Sequence, residues 1–131
     1  MTTRPRISVA AFAVAALSVT ACAAPSVAPA FDDLRVEASG HDDGGDFCAD
    51  FALTPPQVRT FLARAVVVDA MTLHDRYDRL PCWVRGVAHD ARGLWHWEIR
   101  AGGTARLESP TGDVTLRACD ACDELLGGRK R

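Results

Sequence analysis

Between Cys82 and Ala118, apolar and polar side chains alternate with a period of two. That alternation is the feature that most restricts the fold, because only a strand with one buried face sorts its side chains this way. "CWVRGVAH" reads as a strand and "HDARG" as its turn. "LWHWEIRA" places Trp95, Trp97 and Ile99 on one face and His96, Glu98 and Arg100 on the other. Gly102 and Gly103 mark a tight hairpin. "TARLE" turns Ala105 and Leu107 inward. After the turn "SPTGD", "VTLRA" turns Val114, Leu116 and Ala118 inward. The expectation is a four-strand antiparallel meander with one face solvated.

A helix to cover the other face lies upstream, in "LTPPQVRTFLARAV". Thr54 is suited to the N-cap, Pro55 to the first helical position, and Gln57 completes a capping box. Val58, Phe61, Leu62, Ala65 and Val66 form one apolar stripe. Both tryptophans of "WHW" are expected to pack against Phe61 and Leu62. "DLRVEAS" suggests a short strand, "GHDDGGD" a loop, and "DAMTLHDRYDRLP" a polar connection. The expected class is therefore α+β: one N-terminal amphipathic helix on a four-strand antiparallel meander, stabilised by disulfides.

The first residues have the order of an export signal. Arg4 and Arg6 precede an apolar run from Ile7 to Val19, and small residues follow. The run is shorter than the roughly 20 residues a membrane-spanning helix needs. "VTAC", Val19 to Cys22, resembles the lipobox of bacterial lipoprotein precursors, a resemblance confined to about the first 25 residues. It implies a signal peptide over residues 1–21, cleavage before Cys22, and acyl chains, palmitate among them, on that cysteine. Val19 departs from the commonest Leu at its position. The remaining chain divides into a lipid-anchored tether over 22–31 and one small domain over 32–131. Ala23 is not Asp, so the same class pattern implies sorting to the outer membrane, if the host has one, facing the periplasm. Cleavage after Ala23 or Ala30 would instead release a soluble secreted protein.

The chain has 15 Lys and Arg against 17 Asp and Glu. Arg4 and Arg6 fall in the signal, so the mature domain is mildly acidic and has no basic stripe to hold nucleic acid. The closing Arg129, Lys130 and Arg131 read as a solvated end.

Four cysteines remain after Cys22: Cys48, Cys82, Cys119 and Cys122. An even count in a small exported domain reads as two disulfides. Three connectivities are possible, and Cys48–Cys82 with Cys119–Cys122 is favoured. The "CDAC" pair also fits a redox motif, but Asp120 and Asp123 beside it raise a thiol pKa rather than lower it. No strand–helix–strand pattern surrounds it. Zinc on four cysteines would need paired short spacings and reduced thiols. His41, Asp42, Asp43 and Asp46 lack the ligand spacing of a calcium loop. His74 beside Asp75, Tyr77 and Asp78 could act as a base, but reads as a charged surface loop.

These readings point to a membrane-anchored lipoprotein of the cell envelope. It would be a non-enzymatic binding, interaction or structural module with no cofactor beyond the lipid on Cys22. Its expected partners are the bilayer and an envelope protein or ligand. Small lipoproteins that inhibit envelope enzymes such as lysozyme are one subset of that class. The exposed row of His96, Glu98 and Arg100 is the candidate partner surface. The alternative is a thiol–disulfide oxidoreductase using Cys119 and Cys122. A further one is a metal-dependent hydrolase around His74 or His41.

Overall fold

The structure, a computed structural model, describes residues 30–127. The expected signal segment, the expected lipid-bearing Cys22, most of the expected tether and the basic tail Arg129–Arg131 lie outside the described residues. In chain order the elements are β1 (Asp32–His41), a short 3-10 turn (Asp46–Cys48), α1 (Pro55–Arg64), β2 (Val66–Val68), α2 (Ala70–Arg76), β3 (Cys82–Asp90), β4 (Gly93–Arg100), β5 (Thr104–Glu108) and β6 (Val114–Ala118).

The strands form one six-stranded sheet in the order β1-β3-β4-β5-β6-β2, and every neighbouring pair is antiparallel. The hairpins from β3 to β6 follow the turn signals. Arg100 pairs with Thr104, and Gly103 closes the turn with its N–H donated to the Arg100 carbonyl. The φ of Gly103 is +88°, a backbone region that strongly favours glycine.

This architecture corrects the expected fold. Among the described residues the sheet has six strands rather than four, and two short helices stand where one was expected. β1 is longer than its alternating stretch suggests, and it joins the meander at the outer edge of β3. β2 joins at the other edge, on β6. Val66, placed on the helix stripe in the sequence reading, begins β2 and is 60% exposed.

Helix α1 begins as its residues dictate. The Thr54 side chain accepts from the Gln57 N–H, and the Gln57 side chain accepts from the Thr54 N–H. Val58, Phe61 and Leu62 are buried in the same core as Trp95, Trp97, Ile99 and Leu107. Each such side chain contributes about 1.5–3 kcal/mol by leaving water. Phe31, the last residue assigned to the tether, is also buried. Its ring meets Trp95 edge-on with centroids 5.7 Å apart, and Arg59 of α1 donates to its carbonyl.

The inward face of β6 is the reverse of the expected one. Leu107 pairs with Thr115 and Ala105 with Arg117, so Thr115 and Arg117 share the core side of the sheet. Val114 lies on the opposite face and is 48% exposed. Ala118 is buried all the same, at the end where the chain turns into Cys119.

A charged groove as the candidate functional site

The face of the sheet away from the core collects charge because three strands alternate in register. Arg85 of β3 pairs with Glu98 of β4, and Glu98 pairs with Arg106 of β5. One step along, His96 pairs with Val87 and Glu108; one step the other way, Arg100 pairs with Trp83 and Thr104. Directly paired residues project from the same face, so these side chains form a two-dimensional array.

Glu98 is its centre. One carboxylate oxygen accepts from Arg85 Nε at 2.6 Å and the other from Arg100 Nε at 2.9 Å. Arg85 also stacks over the Trp83 ring, 3.8 Å from its centroid. Arg100 continues the network, donating to Asp42 Oδ2 at 2.7 Å and to the Leu80 carbonyl at 3.4 Å. Arg106 donates to Glu108 at 3.1 Å. The hydrogen bond from Arg100 holds the Asp42 carboxyl below its usual range. Burial alone would lower the pKa of Arg100; its bonds to Asp42 and Glu98 outweigh that and raise it.

Glu37, Arg85, His96, Glu98 and Arg106 line a half-open groove of about 330 Å³ on this face. Its arginines are already fixed by carboxylates, so they present oriented N–H groups at little further cost in side-chain entropy. Such a surface suits a polar partner that hydrogen-bonds to preorganised charges. Glu98 is committed to two arginines and is not free to work as a general base.

Sequence reasoning found His96, Glu98 and Arg100 in this array. It did not bring Glu37, Asp42, Trp83, Arg85 and Arg106 to them. The signal was present in the alternation of β3 and β5, but only the pairing register shows which residues stand side by side.

The disulfides are Cys48–Cys82 and Cys119–Cys122. All four cysteines are buried, and Cys119 and Cys122 belong to the hydrophobic core. Cys48–Cys82 ties the loop after β1 to the start of β3. Cys119–Cys122 closes the turn after β6, against which Arg64 of α1 donates to the Ala121 carbonyl and Glu124. Thiol–disulfide exchange requires in-line access to a sulfur, which this burial opposes.

The two other histidine sites remain apart. His41 sits at the end of β1 with Nδ1 2.8 Å from the Asp42 carbonyl, and His74 lies on α2 with Nδ1 3.0 Å from Asp75. Among the described residues, no three His, Cys, Asp or Glu side chains converge to hold a metal ion.

Compared with known proteins, the chain matches no family model, no characterised protein and no solved structure.

Proposed function

We propose that this chain is an exported lipoprotein, anchored through Cys22 to the outer membrane and facing the periplasm. Its domain is a non-enzymatic binding module whose working surface is the charged groove. The observation that carries this reading is the groove itself. It is an open sheet face on which Glu98 fixes Arg85 and Arg100 in place, with exposed His96 and Arg106 beside them. Two buried disulfides fit an oxidising compartment. The order of charged, apolar and small residues before Cys22 supports export and acylation.

Two measurements in intact cells test the reading. An alkyne-bearing palmitate should label the wild-type chain in the membrane fraction, and Cys22→Ser should abolish both label and retention. A photo-crosslinking residue placed at His96 should give a discrete adduct with an envelope component. The same residue at Arg76, on α2, should not give that adduct. Labelling without an adduct would keep the anchor and remove the groove as the working surface.

A further inference from the structure

The sheet ends at β2, and this edge combines two features. The first is backbone. Among the described residues β2 pairs with β6 alone, so its other side presents N–H and C=O groups without a strand partner there. Its three residues are all valine; Val66 is 60% and Val67 64% exposed, and the strand carries no charge. Natural edges are protected by shortness, charge, proline or a bulge, and β2 has the first of these, its length of three residues, without a charge or proline.

The second feature is Arg117. It pairs directly with Val67 across the β2–β6 ladder, so both side chains leave the same face of the sheet. Its Nε is buried and meets no hydrogen-bond acceptor among the described residues. Burial lowers the pKa of the guanidinium, and among the described residues no carboxylate opposes the effect. A partly buried guanidinium without a counter-charge is costly to hold.

We infer that the open edge of β2 is a docking site for an extended peptide strand of a partner protein, with an acidic side chain opposite Val67 that pairs with Arg117. The added strand would lie one interstrand spacing, about 4.8 Å, beyond β2, so its backbone sits about 10 Å from that of Arg117. Arginine and glutamate side chains together span that gap across Val67. The backbone bonds would supply strand addition, and the acidic residue would select register and partner. The site lies at the edge of the sheet and stands independently of the outer-face groove.

The test uses the full-length chain in detergent micelles and two fluorescent seven-residue peptides of alternating Thr and Val. One carries Glu at its centre and the other Gln. The Glu peptide should bind saturably and the Gln peptide about tenfold more weakly, the scale of one charge-assisted hydrogen bond. Arg117→Met should erase the difference between the two. Hydrogen exchange on the wild-type chain should slow at Val66–Val68 when the Glu peptide is added, a readout that needs no variant to fold. Equal binding of both peptides, a preference that survives in R117M, or unchanged exchange at β2 would each overturn the inference. So would a dimer seen by light scattering that Val67→Lys dissolves while neither peptide binds, because the edge would then belong to a second copy of the chain.

Discussion

Gly86 shows how far one residue decides the local fold. A Cβ on Gly86 would stand 1.9 Å from the Arg35 carbonyl oxygen and 2.4 Å from Trp97 Cζ2. Trp97 can lie flat there and donate its indole N–H to the Val87 carbonyl at 3.1 Å. The β1–β3 register slips between Val36 and Ala38, where Val36 faces Gly86. Gly86→Ala should therefore cost about 3 kcal/mol, since the nearest clash is with backbone that cannot step aside. Urea unfolding followed by tryptophan fluorescence would measure it, and a loss under about 0.5 kcal/mol would show that β1 moves freely. Asp42 gives the pH dependence. Its carboxyl is held below the ordinary range mainly by the hydrogen bond from Arg100. A depressed folded-state pKa stabilises above the unfolded value and is lost as pH falls through the folded one. Stability should thus decline from about pH 4 downward, and Asp42→Asn should flatten that part of the curve. Thermal unfolding at pH 7 and pH 3 would compare the two chains; identical slopes would remove Asp42 from the acid response. The sequence displays both residues, but it does not display the tryptophan ring over one or the guanidinium beside the other. Those are facts of register.

At the scale of elements, legibility followed periodicity. The strands β3 to β5 repeat apolar residues every second position over long enough stretches to be read directly. Helix α1 announces itself through Thr54, Pro55 and Gln57, and the capping box forms as those residues require. Thr54→Ala should cost about 1 kcal/mol by leaving the Gln57 N–H without its side-chain acceptor. Thr54→Ser should cost much less, and equal losses for the two would mean that the hydroxyl is not the cause. Helix α2 was illegible because it buries none of its residues, so no apolar period marks it. Its only trace is Asp69, whose side chain accepts from the Thr72 N–H. β2 was illegible for the opposite reason. Three valines are too few to show a period of two, and Val66 also continues the spacing of the helix stripe. The apolar residues of β6 alternate correctly, yet their hydropathy alone points to the wrong face. The strand's orientation is set by pairing with β5, not by its own hydropathy.

At the scale of the whole molecule, the question is how an open sheet with a modest core stays folded with two strands added at its margins. The helix, the post-β6 turn and Phe31 all converge on one side of β3, β4 and β5, where the largest buried side chains lie. The disulfides act at the margins of that core. Cys48–Cys82 spans 34 residues and includes α1, β2 and α2 in its loop. Cys119–Cys122 spans three. Loop entropy alone assigns the first about 4 kcal/mol and the second about 2 kcal/mol. Replacing Cys48 and Cys82 together by Ala should therefore lower stability by about twice as much as replacing Cys119 and Cys122. Denaturant unfolding of the two double variants gives the comparison directly. The reverse order would carry its own meaning. Cys122 is fully buried in the core, so its alanine variant also loses packing that the entropy argument leaves out. A larger loss at Cys119 and Cys122 would mark the turn after β6 as the place where the core closes. The long loop carrying both helices would then be held mainly by α1 and its buried face.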